Sequence, residues 1–296
     1  MPHIGELAAL FTAVCWMISS LFFEVASKQV GSLIVNLLKL CLALVFLGVY
    51  SLIVRGMPLP LDATPHAWLW LSLSGLAGFV MGDLMLFRAY TIIGARIAML
   101  IMATAPLITA VIGWLIMGET LAPLAIAGMF LTVGGIALVV LERNPEQNHF
   151  KLSYAPRGLL FAFGGAAGQA IGLVLSKSGM GAYNAVSATQ IRQIAGIGGL
   201  LLVGIALKNL GRVKPALTQR RTLQPLLVGS VFGPSLGVSL SLFAVQHTSA
   251  AVASTLMATV PVLIIPPAIF LFKEKVRLVE GLGALAAVAG VVLLFM

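Results

Sequence analysis

The chain has 296 residues, of which 60% are hydrophobic and only 9% charged, with a mean hydropathy of +1.07. Soluble domains carry about 25% charged residues, so a fully water-facing surface is excluded and lipid must solvate much of the molecule. The net charge of +9 does not point to nucleic acid, because the bases sit between apolar runs and not along one amphipathic face, and Cys15 and Cys41 lie in apolar runs, which argues against a disulfide framework.

A helix needs about 20 apolar residues to cross a bilayer. Ten runs meet that need, at roughly 4–23, 32–54, 66–90, 96–117, 121–141, 157–176, 183–207, 223–245, 250–272 and 277–296. The first is too long for a signal-peptide core and lacks a basic leader, so it reads as a retained helix. The expected class is an all-α integral membrane protein. Most connections are short. The longer ones, 142–156 and 208–222, are polar and strongly basic respectively, and no connection has room for a soluble domain.

The chain repeats itself. Residue n aligns with n+155 over 71–141 and 226–296, with 15 of 71 positions identical. Placement says more than identity. Met102-Ala103-Thr104-x-Pro106 falls on Met257-Ala258-Thr259-x-Pro261, Glu119 on Glu274 and Gly128 on Gly283. Ser74, Gly78 and Gly82 fall on Gly229, Gly233 and Gly237. For the first two helices of each half the shift is 153, placing Gly5 on Gly158 and Lys39 on Arg192. The division is 1–141, a linker at 142–156, and 157–296. Five helices per half is an odd number, so the halves enter the membrane in opposite senses, an inverted repeat common among transporters.

Loop charges give an orientation. The side reached after the first helix holds Lys28, Arg88, Arg96, Arg143, Lys151, Arg157, Lys208, Arg212, Lys214, Arg220, Arg221, Lys273, Lys275 and Arg277, and the other side only Arg55 and Lys177. The positive-inside rule makes the first side cytoplasmic and puts both termini outside the cytoplasm.

The two Thr-x-Pro helices, each followed by a glutamate (Gly118-Glu119, Lys273-Glu274) and a glycine-containing last helix (Gly128, Gly134, Gly135; Gly283, Gly290), resemble the drug/metabolite transporter superfamily, specifically its ten-helix bacterial branch with two EamA-type domains. The resemblance covers nearly the whole chain. Within the family, the segment with Gly82, Asp83 and Ala89 is similar to amino-acid exporters, aromatic ones included. It implies a multi-pass protein of the bacterial inner membrane, monomeric, without a cofactor or nucleic-acid partner, that carries a small solute. Eukaryotic relatives with cytosolic termini depart from the charge-based orientation.

The solute site of such a fold is expected at mid-membrane between the halves. The family places helices one, three, four, six, eight and nine around it. The candidates are Trp16, Ser20, Phe79, Met81, Met102, Thr104, Gln169, Ser235, Ser239, Phe243, Met257 and Thr259. Hydroxyls and an amide suit a zwitterion, while Met and aromatic rings accept varied apolar side chains. Pro106 and Pro261 are expected to kink mid-helix and shape the cavity or merely bend it. Asp83, Lys39 and Arg192, with Lys177 near an end, are charges inside helices, which are expensive there. For Asp83 the readings are amine binding, proton coupling, or a structural salt bridge or cap. Lys39 and Arg192, as repeat equivalents, read as gate or interface residues that pair with a carboxylate such as Glu24 or bond backbone carbonyls. Glu119 and Glu274, at helix ends, read as caps or as short-range partners of the start of the next helix. The four-residue ladders Ser74/Gly78/Gly82, Gly229/Gly233/Gly237 and Gly164/Gly168/Gly172 read as close-packing faces, or as surfaces that slide between states.

His3, His66, His149 and His247 are dispersed without metal-ligand spacing, and no phosphate-binding loop of the Gly-x-x-x-x-Gly-Lys-Ser/Thr type occurs. The expected function is secondary transport of neutral amino acids or similar metabolites by alternating access. Alternatives are an exporter of drug-like or lipid-linked amphiphiles and, from another class, an intramembrane enzyme or a channel. No Ser/His or paired-carboxylate constellation supports the enzyme, and two unlike halves do not make a channel's ring.

Overall fold

A computed structural model describes residues 3–117, 123–144, 149–248, 253, 256–270, 273 and 276–294. Glu119 and Glu274 lie outside the described residues.

Among the described residues, six helices are long and apolar enough to cross a membrane: Ile4–Val30, Ser32–Arg55, Pro65–Met102, Pro156–Met180, Ala185–Ala206 and Arg220–His247. Shorter apolar helices cover Ile126–Val140, Val260–Phe270 and Leu278–Leu293. In chain order the elements are α1 (Ile4–Val30), α2 (Ser32–Arg55), α3 (Pro65–Gly75), a π-helical turn (Leu76–Gly82), α4 (Asp83–Met102), α5 (Ala105–Met117) and α6 (Pro123–Val140). After them come α7 (Pro156–Met180), α8 (Ala185–Ala206), α9 (Val213–Thr218), α10 (Arg220–Ser230), a second π-helical turn (Val231–Gly237), α11 (Val238–His247), α12 (Val260–Leu263), α13 (Ile265–Phe270) and α14 (Leu278–Leu294). Outside the linker the described elements are helical. In the linker, β1 (Leu141–Asn144) and β2 (His149–Leu152) pair as an antiparallel hairpin, with Leu141 opposite Leu152.

Residues 65–102 would run about 57 Å as one straight helix, nearly twice the roughly 30 Å hydrocarbon layer. Gly94 divides them, at φ 78° and ψ 161°. That conformation suits glycine. The helix restarts at Ala95, whose free N–H donates to Glu24 Oε2 at 2.7 Å. A carboxylate there satisfies an orphan donor and meets the positive end of the helix dipole.

The repeat is visible in the irregularities. The two π-helical turns, Leu76–Gly82 and Val231–Gly237, stand 155 residues apart. The fourth and ninth runs are both interrupted, at Ala103–Thr104 and at Ala258–Thr259, again 155 apart. This corrects the reading of Pro106 and Pro261 as mid-helix kinks. Pro106 is the second residue of α5 and Pro261 the second of α12. In the first turn of a helix the missing N–H has no intrahelical partner to lose.

Each half lays its first helix on the other half. The helix α7 packs on α3, the first π turn and α4, and α1 packs on α10, the second π turn and α11. A Cβ on Gly168 would stand 2.5 Å from Gly82 Cα, and one on Gly172 would stand 3.1 Å from Gly78 Cα, so backbone lies against backbone. Gly229 and Gly233 instead receive the ring of Phe23, and Gly237 that of Trp16. The last helices, α6 and α14, pack through Gly135 and Gly283, and the Thr132 hydroxyl donates to the Ala287 carbonyl at 3.2 Å. Small residues let helices approach where lipid offers no hydrophobic driving force.

Candidate functional site

Between the halves lies a cavity of about 180 Å³. That is below the roughly 300–1,000 Å³ of drug-sized sites, so it suits a small solute. Repeat-related pairs line it: Trp16 with Gln169, Lys39 with Arg192, Phe79 with Pro234, Asp83 with Val238, Met102 with Met257, and Pro106 with Pro261. The cavity therefore straddles the axis that relates the halves. Both π turns and both interrupted helices border it, which is where irregular backbone is tolerated in a membrane protein.

The first half supplies an ion pair. Lys39 Nζ lies 2.5 Å from Asp83 Oδ2, and Gln169 Nε2 donates to Asp83 Oδ1 at 2.5 Å. The ammonium also stands over three rings, 4.1 Å from the centroid of Phe87, 5.4 Å from Phe23 and 5.9 Å from Phe79. Lys39 is 3% exposed and Asp83 6%, so each is viable only because the other is present. Asp83 takes the salt-bridge geometry among its possible readings. The partner of Lys39 is not Glu24, whose carboxylate holds Lys28 and the Ala95 N–H.

The second half does not repeat this. Val238 stands where Asp83 would be. Arg192 is 4% exposed, with its guanidinium carbon 4.9 Å from the Phe79 ring centroid. Its Nε is buried without a hydrogen-bond partner, and among the described residues no carboxylate comes within ion-pair distance of the guanidinium. Gly78 makes the room, since a Cβ there would lie 3.2 Å from Arg192 Nη2.

Trp16, Phe79, Met102, Gln169 and Met257 line the cavity. The remaining candidates do not. Ser20 donates to the Met17 carbonyl, Thr104 to Ile101 at 2.8 Å and Thr259 to Leu256 at 2.7 Å, so these hydroxyls turn onto their own helices. Ser235 donates at 2.8 Å to the Ser230 carbonyl. Pro234 cannot bond that carbonyl, because it has no N–H to offer four residues back. The Pro234 carbonyl accepts instead from Gln193 Nε2 at 2.8 Å. Met81 is 42% exposed, Phe243 stacks on His247 with centroids 3.9 Å apart, and the Ser239 hydroxyl is buried without a partner. Lys177 is exposed in the last turn of α7 and is not an embedded charge.

Sequence reasoning passed over Ser19, Phe23, Phe87, Tyr90 and Met99, all of which line the cavity. Helical spacing carried the signal. Ser19 and Phe23 follow Trp16 at i+3 and i+7, and Phe87 and Tyr90 follow Asp83 at i+4 and i+7, so each set shares one face.

Polar clusters tie the halves at both ends. At one end Asp62 accepts from Arg55 Nη2 at 2.5 Å and from the Tyr183 hydroxyl at 2.8 Å, and Arg55 also reaches Ser187. The Tyr183 hydrogen bond, followed by the Arg55 contact, holds the Asp62 carboxyl below its ordinary range. At the other end Glu280 pairs with Arg96 and accepts from the Tyr154 hydroxyl at 2.7 Å, with Arg277 Nε at 3.4 Å. Burial, then the hydrogen bond and charge of Glu280, pushes the Tyr154 phenol up to about 12.

The family model described as the EamA-like transporter family matches residues 3–141 and again 156–296. An uncharacterized transporter of Clostridium kluyveri is 31% identical over 99 residues, which is 33% of this chain and 32% of that protein. The chain thus matches about a third of that relative's length. A solved crystal structure with 16% sequence identity superposes with a TM-score of 0.65 over 98% of this chain and 95% of its own, which shows the shared fold.

Proposed function

The chain belongs to the EamA-like transporter family and is a multi-pass membrane transporter, and from that premise we propose that it moves neutral amino acids or similarly small amphiphiles across the bacterial inner membrane by alternating access. Ten spans in two inverted halves cross the bilayer, with both termini outside the cytoplasm. The observation that carries this reading is the cavity itself, small, mostly apolar and lined by repeat-related residues of both halves. A site on the axis between inverted repeats is reached from either side when the halves rock against each other. The Arg55–Asp62–Tyr183 and Arg96–Glu280–Tyr154 clusters, one at each end, act as the two gates: one opens while the other holds.

Counterflow in proteoliposomes against a panel of amino acids tests the proposal. A neutral amino acid should exchange, and Phe79→Ala and Met257→Ala should each lower exchange about tenfold or more, because a buried aromatic or Met contact is lost from a small site. Exchange that is unchanged by both substitutions would remove the cavity from the transport path.

A further inference from the structure

Among the described residues, the two halves present equivalent cations to the cavity but only one matching carboxylate. Lys39 has Asp83, and Arg192 has Val238. Among the described residues the lining includes two cations and one carboxylate, which leaves one positive charge uncompensated there. An unpaired guanidinium in a low-dielectric pocket is unfavourable, and the face of Phe79 offsets only part of that cost. Arg192 is buried, borders the cavity and has no hydrogen-bond partner on its Nε. Its planar fork matches a carboxylate through two parallel hydrogen bonds.

From the broken symmetry between Asp83 and Val238 we infer that the carboxylate missing from the second half arrives with the solute: Arg192 is the docking site for a carboxylate group whose apolar body lies along Phe79, Met102, Met257 and Trp16. This rests on the cavity being the solute site, and it narrows the solute to amphiphiles bearing a carboxylate. Phosphate esters are disfavoured, because the second cation is already held by Asp83. An amine on the solute is not required, since both Asp83 oxygens are engaged, by Lys39 and Gln169.

Binding is read without transport, by titrating ligands against the thermal unfolding of the detergent-solubilised protein. The probes are L-phenylalanine, L-leucine, 3-phenylpropionate and 4-methylpentanoate, each beside its carboxamide, with inorganic phosphate as a control. At least one acid should bind about tenfold or more tightly than its amide, the size expected for a charge-assisted hydrogen bond. Arg192→Gln should erase that preference. Val238→Asp, which leaves Arg192 in place and supplies the missing carboxylate from the protein, should erase it too, while Val238→Asn should keep it. The inference is overturned if no acid binds better than its amide, if phosphate binds as tightly as the best acid, or if the preference survives both Arg192→Gln and Val238→Asp. Failure of counterflow alongside an intact acid preference would count against the transport proposal and leave the carboxylate site standing.

Discussion

The first and second halves share π turns, interrupted helices and a cation at one equivalent position, yet differ in what surrounds that cation. Lys39 is closed in by Asp83, Gln169 and three aromatic rings. Arg192 has one ring and open space. The difference teaches that a repeat fixes backbone and packing positions, while the chemistry of the site comes from the positions where the repeat is broken.

The largest expected effect tests that contrast directly. Lys39→Met strands a buried carboxylate and should destabilise the protein by about 3–5 kcal/mol, whereas Arg192→Met removes a cation that has no ion-pair partner and should be neutral or stabilising. Replacing Lys39 and Asp83 together by Met and Leu should recover most of the loss. Thermal unfolding of the four proteins measures it. Equal losses for Lys39→Met and Arg192→Met would erase the energetic difference between the halves.

A smaller effect contrasts the two cross-half contacts. Gly168→Ala presses a methyl on the backbone of Gly82, which cannot yield, and should cost about 1–3 kcal/mol. Gly229→Ala meets the Phe23 ring, a side chain that borders the cavity and not backbone, and should cost less. Unfolding midpoints of the two variants check the order, and the reverse order would mean that the glycine-on-glycine contact is the looser one.

The smallest effect concerns the two ends. Tyr154 is held protonated in the folded protein with its phenol at about 12, above the ordinary 10. A group raised in this way contributes stability that is complete below its unfolded value, and that stability fades as pH rises from about 10 through 12. Tyr154 is about half-exposed, so solvent weakens the term. Wild-type protein should be the more stable of the two at neutral pH and should lose that advantage over Tyr154→Phe as pH rises through that interval. Coincident curves would mean that the Glu280 cluster contributes nothing through this phenol.

The membrane class and the two-half organisation were legible in the sequence, because apolar run length and a 155-residue offset need no knowledge of packing, but the six helices that the family resemblance places around the cavity leave out the second and seventh, which bring Lys39 and Arg192 to it. Five of the twelve proposed lining residues border the cavity. The failures share a cause. Ser20, Thr104, Ser235 and Thr259 were chosen for their hydroxyls, but in a helix without water a hydroxyl satisfies itself on a nearby backbone carbonyl, and these four do so within three to five residues. Aromatic residues one or two turns from a chosen residue were the better guide, as Phe23 and Phe87 show.

The sequence by itself determined that lipid is the solvent, that the chain is built twice, and that Lys39 and Arg192 are equivalent while Asp83 lacks a counterpart. Local physics settles these points, since composition, periodicity and internal alignment need no neighbours. Only the tertiary structure decided that Asp83 belongs to Lys39 and not to Arg192, and that Glu24 is committed to Lys28 and Ala95. Asp83 and Lys39 are 44 residues apart, and which buried charges meet depends on how α2 and α4 pack. In a low-dielectric interior that meeting fixes which charge is compensated and which remains open.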